Sequence, residues 1–316
     1  WKLAEKGEDV TVFERKKTIG KQACSGLFSE RILEFIPKSQ NLIQNQINSV
    51  LIHFPQKTVK VEFSKRFFVM SHFELDNLVA RLAENSGAKI ILNHNISRTV
   101  LETLQGEFAR IIGCDGPGSV VRENLRLPAP NYRLAIQGFI LKEDSSSFVE
   151  TWPTKNGFIW KIPRGKESMK FPSSSPSSSR SRRDSIVEYG IMDNPKEAKL
   201  FLDGFLEKNK IHLETIKSAL IPQGLIISNN PKITLCGDSA GLTKPWSGGG
   251  VIWGLTAANM LLKNFPDFLR YKNDMKKFFL PRIAFSKIAT KAVYFLGFKM
   301  PWLLPKKIKI EGDFLF

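Results

Sequence analysis

A run of three glycines directly before a helix-forming stretch is the feature that most constrains the fold of this chain. Residues 237–262 read GDSAGLTKPWSGGGVIWGLTAANMLL, in which Gly248, Gly249 and Gly250 precede apolar residues. Residues without side chains expose backbone N–H groups at a helix N-terminus, where the helix dipole favours negative charge. We predict that this backbone lies against a ligand. The alternative interpretation is a glycine-rich hinge that binds none.

Acidic residues follow three predicted strands. Asp238 comes after the hydrophobic run KITLC, and Asp115 with Gly116 comes after ARIIGC. Glu14 ends a strand predicted over residues 9–13. A carboxylate at such a strand end can accept hydrogen bonds from two ribose hydroxyls of a dinucleotide. An ordinary turn also explains each element alone, whereas the three elements together predict a dinucleotide site.

The combination of Asp238 with the glycine run favours a flavin. We predict that Asp238 holds a polyol hydroxyl of the cofactor while the glycine backbone meets the ring system. A reduced flavin carries negative charge around N1 and the C2 carbonyl, and a helix end would stabilise that charge by roughly 0.3–2 kcal/mol. Side chains at Gly248–Gly250 would block the ring.

Length and composition indicate a globular chain. The 316 residues suffice for one large or two closely joined domains, and a hydrophobic content of 42% excludes a disordered protein. No stretch approaches the roughly 18 uninterrupted apolar residues of a membrane span. The three cysteines are widely spaced and odd in number, which favours a reducing, cytoplasmic compartment and predicts no metal site.

The net charge of +17 calls for an anionic partner. Much of the excess lies in the last fifty residues, where Lys and Arg alternate with Phe, Leu, Trp and Tyr. This mixture favours peripheral binding to an anionic membrane, because apolar side chains enter the interface while cations meet headgroups. The alternative is a core-packing helix pair with a solvated basic face. We expect no nucleic acid.

Strands and helices alternate along the chain. VLIHFPQKTVKVEF predicts a hairpin, residues 74–86 a helix, and AKIILN a strand. Residues 132–191 are rich in predicted strands and precede a helix over 195–209. Within them, residues 172–185 read PSSSPSSSRSRRDS, which predicts a flexible excursion from a hairpin. A phosphorylation or RNA-binding segment and an erroneous stretch of translation are the alternatives.

The beginning of the sequence reads as the middle of an element, since Trp1 to Lys6 resemble the tail of a helix that Gly7 ends. The G-x-G-x-x-G loop of a dinucleotide fold is not in the sequence. We therefore expect a fragment that lacks its first strand and glycine-rich loop. We also expect that it binds its cofactor poorly until they are restored.

Four motifs carry a family resemblance: VFERKKTIGKQACSG, CDGPGSVVR, GFIWKIPRG and GDSAGLTKPWSGGGVIWGLTAA. Together they resemble the geranylgeranyl reductase family of FAD-dependent oxidoreductases over nearly the whole chain. The Lys-Pro-x-x-Gly-Gly-Gly run is the most specific, because many flavin hydroxylases share the other Asp-Gly elements.

The resemblance implies an α/β fold. It would contain a Rossmann-like FAD-binding domain of the aromatic hydroxylase and glutathione reductase type, an inserted antiparallel sheet for the substrate, and C-terminal helices. The predicted parts are residues 1–130 with 225–265 for FAD, 131–224 for the substrate, and 266–316 as a basic helical region. The implied activity is saturation of C=C bonds in geranylgeranyl and related isoprenoid chains, in membrane lipid biosynthesis.

The resemblance also implies roles for individual residues. Glu14 would bind the adenosine ribose, Asp115 and Gly116 would lie near the pyrophosphate, and Asp238 would hold the ribityl chain. The full set of implied cofactor residues is Glu14, Cys24, Ser25, Gly26, Cys114, Asp115, Gly116, Asp238, Gly248, Gly249, Gly250 and Val251. Those implied for the lipid tunnel are Phe158, Trp160, Pro163 and Trp246.

Reduction of an isolated alkene requires a hydride donor at one carbon and an acid at the other, in a dry pocket. Cys24 is the candidate acid, because a thiol with a pKa near 8.5 is mostly protonated at neutral pH. Cys24 would otherwise only shape the flavin pocket. His72 stands where family members carry an Arg, which puts one cofactor contact in question.

The electron donor would be NAD(P)H or a small acidic carrier such as ferredoxin. An aromatic-hydroxylase-type flavin monooxygenase is one alternative function. A non-catalytic basic protein on a decayed flavin fold, bound to membrane or RNA, is the other.

Overall fold

The computed structural model describes residues 1–20, 23–166 and 185–315. Most of its helices are short, one begins directly after the glycine run, and the longest comes next. The helices are α1 (Lys2–Glu5), α2 (Ile32–Phe35), α3 (His72–Asn85), α4 (Arg98–Glu107), α5 (Val120–Asn124), α6 (Ala198–Lys208), α7 (Val251–Asn264) and α8 (Phe268–Lys299).

The strands range from three to fourteen residues. They are β1 (Thr11–Phe13), β2 (Leu27–Ser29), β3 (Ile43–Phe54), β4 (Lys57–Met70), β5 (Lys89–Ile91), β6 (Ile111–Gly113), β7 (Asn131–Leu141), β8 (Phe148–Pro153), β9 (Phe158–Lys166), β10 (Ser185–Asp193), β11 (Glu214–Gln223), β12 (Ile233–Leu235) and β13 (Lys307–Ile310).

Local signals place several of these elements. The Ser71 side chain accepts the Glu74 N–H and so caps α3, which begins two residues before the predicted start. Gly87, with a φ of +93°, follows the end of that helix. The predicted hairpin is confirmed, because β3 and β4 pair antiparallel up to the contact of Phe54 with Lys57.

A nine-stranded sheet dominates the molecule. Its order is β11-β7-β10-β9-β8-β3-β4-β13, with β2 also paired to β4. Most neighbours are antiparallel, while β3 with β8 and β4 with β13 are parallel. The domain boundaries stay a prediction, and this sheet crosses the predicted boundary at residue 131 because β3 and β4 belong to it.

Two small parallel pairs lie outside this sheet. β1 pairs with β5, and β6 pairs with β12, which is the arrangement expected of strands separated by helical crossovers. β12 is buried throughout, consistent with the hydrophobic run that predicted it. The carboxyl ends of β6 and β12 lead directly into the two Asp-Gly elements.

The predicted excursion over residues 172–185 lies outside the described residues, except for Ser185, which begins β10. The strands that flank it, β9 and β10, pair antiparallel with a register shift near Ile186. The predicted hairpin at this place is therefore confirmed by its two strands.

The C-terminal region, predicted over residues 266–316 as basic and helical, contains one long helix. α8 continues through Pro281 and packs on α7, where Trp253, Tyr271 and Phe279 are fully buried. After α8 the chain returns to the sheet as β13, which sequence patterns did not predict. No helix in the described ranges is both long enough and apolar enough to cross a bilayer.

Candidate functional site

The ends of β6 and β12 bring two predicted cofactor segments together. Gly113 and Leu235 are paired in register, and the Cys236 N–H donates to the Gly113 carbonyl at 3.0 Å. Ser239 Oγ donates to the same carbonyl at 2.5 Å. The segments that carry Asp115 and Asp238 thus leave the same edge of this strand pair.

Asp238 lies against the glycine run. Its Oδ1 atom is 2.9 Å from the position that a Cβ on Gly250 would occupy, and Thr243 Cγ2 is 3.2 Å from that position. Gly250 is the N-cap of α7. The structure therefore joins the carboxylate and the glycine backbone at the helix N-terminus, where the first four N–H groups lack intrahelical partners.

The glycine run also meets the large sheet. Gly248 has a φ of +69°, and a Cβ there would overlap Met192 Sδ and approach Ile221 Cγ2 at 3.2 Å. Any side chain at this position is both strained and obstructed. Met192 and Ile221 belong to what we call the apolar sheet face, a cluster formed by Ile47, Phe67, Val69, Val149, Phe158, Trp160, Ile162, Met192 and Ile221.

Two of the predicted tunnel residues lie on the apolar sheet face. The rings of Phe158 and Trp160 are 6.0 Å apart within it. Pro163 is buried further along β9, where its carbonyl accepts from Asn45. Trp246 packs in a different cluster, beside Trp253 and α8. The structure therefore groups Phe158 with Trp160 and places Trp246 under the glycine run.

Lys244, in the most specific motif, is buried. Its Nζ atom lies 3.1 Å from Asp313 Oδ1, and a Cβ on Gly249 would be 2.9 Å from its Cε. Asp313 also lies 3.6 Å from Arg31 Nε. The C-terminal segment therefore holds the loop before α7, a contact that sequence patterns did not predict.

The segment from Cys24 to Gly26 lies beside the start of α7. Cys24 packs in a cluster with Val251 and Ile252. Its carbonyl accepts from Gln137 Nε2 at 3.0 Å, and the Ser25 carbonyl accepts from Arg164 at 2.9 Å. These two side chains of the large sheet fix the backbone of the predicted flavin-contacting segment.

Arg164 forms a buried ion pair that sequence reasoning missed. Its guanidinium donates to Glu188 Oε2 at 2.8 Å, and Trp160 Nε1 donates to Glu188 Oε1 at 2.9 Å. Glu188 has no exposed surface. A Cβ on Gly26 would lie 2.9 Å from the guanidinium. The only local signal was an Arg in a strand rich in apolar residues.

His72 lies within the same region, at the N-terminus of α3. Its Nε2 atom is 3.3 Å from Asp76 Oδ1, and its ring packs edge-on against Phe28. Burial opposes charge on the imidazole, but interactions with Cys24 and with Asp76 outweigh it and raise the pKa of His72 to about 10. His72 is therefore a largely buried neighbour of Cys24.

The Asp115 carboxylate has a local role. It accepts from Ser119 Oγ at 2.6 Å and from the Val121 N–H at 3.2 Å, which fixes the start of α5. Gly116 adopts a φ of +80°, so its backbone, rather than the carboxylate, is suited to approach a ligand. Its contact with a pyrophosphate stays a prediction.

Cys114 and Cys236 follow paired positions of β6 and β12. A hydrogen bond between the thiols raises the pKa of Cys114 well above its ordinary value and lowers the pKa of Cys236. Cys236 is buried in the core with residues of α7 and α8, whereas Cys114 is exposed.

Glu14 follows the other parallel pair. Its carboxylate accepts from the Lys16 N–H at 2.8 Å, and its carbonyl accepts from His94. Phe13, one residue earlier, contacts the ring of Phe108 just before β6. The binding of a ribose by Glu14 stays a prediction.

A cavity of about 530 Å³ is lined by residues of α1, α2, α3 and α7, including Trp1, Phe35 and Asn259. None of its lining residues is a predicted site residue. Among the described residues, no group of three or more His, Cys, Asp and Glu side chains is placed to hold a metal ion.

Solved structures with this fold include flavin enzymes. A geranylgeranyl bacteriochlorophyll reductase-like protein from Thermoplasma acidophilum has a TM-score of 0.69 and 17% identity, covering 96% of this chain and 84% of its own. A flavin-dependent halogenase from Xanthomonas campestris has a TM-score of 0.66 and 11% identity, covering 90% and 72%. No protein-family model matches the chain.

The halogenase PltM, solved in complex with phloroglucinol and FAD, has a TM-score of 0.62 and 12% identity, covering 94% of this chain and 74% of its own. At these identities the likeness concerns the fold. The predicted fold class is confirmed: a mixed α/β chain with a curled sheet and C-terminal helices, as in flavin-dependent reductase-like and halogenase proteins.

Proposed function

We propose that this protein binds FAD and reduces C=C bonds of isoprenoid chains such as geranylgeranyl groups. The observation that carries the proposal is the contact of Asp238 with Gly250 at the N-terminus of α7, beside the apolar sheet face. A carboxylate, a bare helix end and an apolar wall are what a flavin ring and a lipid chain require in one place.

The residues around Gly250 fit the cofactor. Asp238 would hold a hydroxyl of the ribityl chain, and the backbone of Gly249, Gly250 and Val251 would face the negative part of the reduced ring. When bound, reduced FAD supplies the hydride equivalent for the reduction. Asp115, Gly116 and Glu14 would hold the remainder of the dinucleotide.

The apolar sheet face would bind the isoprenoid chain. Trp160 is buried and Phe158 is half-buried in this cluster, so the chain would pack against the exposed side of Phe158. The Glu188 carboxylate beneath the two rings is paired with Arg164 and Trp160. Because the Glu188 carboxylate is already paired, it presents little polar surface to a bound lipid. Water would therefore be excluded from the apolar sheet face.

Cys24 is the proposed proton donor at Sγ. His72 lies beside it, and a protonated imidazole there would stabilise the thiolate that remains after donation. Asp76 orients the ring. The electron donor that we propose is NAD(P)H or a small acidic carrier.

The test is FAD binding followed by turnover with a geranylgeranyl lipid. The purified chain, titrated with FAD, should quench the flavin fluorescence, with the weak affinity that the sequence predicts. With excess FAD and dithionite as reductant, mass spectrometry should then show the substrate gaining two hydrogens per double bond. Flavin binding without reduction of any prenyl chain would refute the substrate, and no flavin binding at any FAD concentration would favour a non-catalytic protein.

The halogenase similarities favour one second candidate, an FAD-dependent reaction on an aromatic ring, as in the hydroxylase-type alternative. Incubation with oxygen, NAD(P)H, chloride or bromide, and phenolic compounds separates the two. An oxygenated or halogenated ring as product would replace the reductase proposal. The placement of Phe158 and Trp160 on a continuous apolar face supports the lipid substrate instead.

A further inference from the structure

The outer face of α8 is apolar although it faces solvent. Phe285 is 60% exposed, Ile288 69% and Phe295 58%. Trp302, just after the helix, is 69% exposed, and Leu303 beside it is also exposed. We call these five residues the outer apolar face. Contiguous exposed apolar surface of this kind marks a contact with a partner or a membrane.

The spacing shows that this face is separate from the core-packing face. Ile288, Phe295 and Trp302 recur every seven residues, which is close to two helical turns. Phe279, Ile283 and Ser286 are buried on the opposite side, against α7 and the sheet. Helix α8 is therefore apolar on both sides, and packing among residues 1–20, 23–166 and 185–315 accounts for only one of them.

Basic residues surround the outer apolar face. Counted from the sequence, residues 268–310 contain nine Lys and two Arg against a single Asp. Lys287, Lys291 and Lys299 are exposed on α8 between the apolar residues. The occupant of this face must therefore combine an apolar interior with negative charge at its surface.

A second copy of this chain does not meet that requirement. A two-fold dimer through the outer apolar face would bring Lys287 and Lys291 of each protomer towards the same residues of the other. Nucleic acid meets the charge requirement, and its bases can stack on Phe285, Phe295 and Trp302, but it has no apolar interior to receive Ile288 and Leu303. An anionic bilayer supplies both headgroup charge and an acyl interior.

We propose that the outer apolar face of α8 binds an anionic membrane surface, with Ile288, Phe295 and Trp302 inserted among the lipids. The lysines between them lie at the level of the headgroups, where their long apolar stems remain in the interface. The helix lies along the membrane plane. This inference does not depend on flavin binding or on the identity of the substrate.

The test is sedimentation of the full chain with vesicles of phosphatidylcholine, alone or with about one third phosphatidylglycerol. Binding to the anionic vesicles should be at least tenfold stronger and should weaken with salt. The double variants Ile288→Asn/Phe295→Asn and Lys287→Glu/Lys291→Glu should each lower it at least tenfold. The matched control is Leu200→Asn on α6, an exposed apolar residue outside this face, which should bind like the unmodified chain.

Three outcomes would overturn the proposal. The first is equal binding of both vesicle types, and the second is unchanged binding of both double variants. The third is a change of molar mass in light scattering for Ile288→Asn/Phe295→Asn, which would assign the face to a second copy. Circular dichroism of every variant reports folding. The lysine variant alters only exposed side chains, so it should fold and still test the proposal if the apolar variant does not.

Discussion

The carboxylate of Asp238 lies against the α-carbon of Gly250, with Oδ1 2.9 Å from the point that a Cβ would occupy. The two residues are twelve positions apart, and the turn between them is fixed by the hydrogen bond from the Gly248 N–H to the Lys244 carbonyl. A strand-terminal acid and a helix N-terminus thereby form one surface.

Replacement of Gly250 by Ala should weaken FAD binding with little loss of stability. The added methyl group displaces the Asp238 carboxylate, and a hydrogen bond to a charged group contributes about 1.5–3 kcal/mol, so affinity should fall roughly tenfold or more. Quenching of FAD fluorescence measures the dissociation constant. Gly106→Ala, at an exposed helical position with open space around it, is the control. Equal affinities for both variants would contradict this role of the site.

Single replacements in the Arg164–Glu188 pair should strongly destabilise the fold. Arg164→Met leaves a fully buried carboxylate without its cation, which costs about 3–5 kcal/mol. Urea unfolding measures the loss. The double variant Arg164→Met/Glu188→Leu should recover most of it, because both charges are removed together. A double variant as unstable as the single one would show that lost packing, rather than the unpaired charge of Glu188, causes the loss of stability.

Stability should decline with rising pH in a way that depends on His72. The folded-state pKa of about 10 lies above the ordinary value of 6.5, so the folded state binds the extra proton between these values. The stabilisation is complete below about pH 6.5 and is lost as the pH rises towards 10. Denaturant unfolding at several pH values should show that the stability advantage of the unmodified chain over His72→Gln disappears as the pH rises towards 10. Because Cys24 and Asp76 also face the ring, the same comparison is made without the thiol. If the free energies of unfolding of Cys24→Ala/His72→Gln and Cys24→Ala change in parallel with pH, His72 is not the source of the pH dependence.

Loss of the Cys24 thiol should slow turnover while FAD content is retained. General acid catalysis contributes roughly 10²–10⁴-fold, so Cys24→Ala should reduce the rate of prenyl reduction by at least about 10²-fold. The pH profile should also change, because the group that titrates in the reaction has been removed. Full turnover with normal flavin absorbance would show that Cys24 only shapes the pocket.

Local sequence determined the short-range features of this protein. The alternation of apolar and polar residues determined the β3–β4 hairpin, and Ser71 with Gly87 bracketed α3. The run KITLC and the following Asp238, Gly248 and Gly250 indicated a ligand-facing helix start without any structure, because glycine and capping preferences act within a few residues.

Only the tertiary structure decided which distant residues meet. Nothing near Arg164 in the sequence indicated Glu188, and nothing near Cys24 indicated His72. Likewise β13 pairs with β4 across 247 residues, and packing with α7 decides which side of α8 is buried. Burial and pairing arise from the packing of whole elements, so the charge, pKa and exposure of these residues depend on contacts that no local pattern encodes.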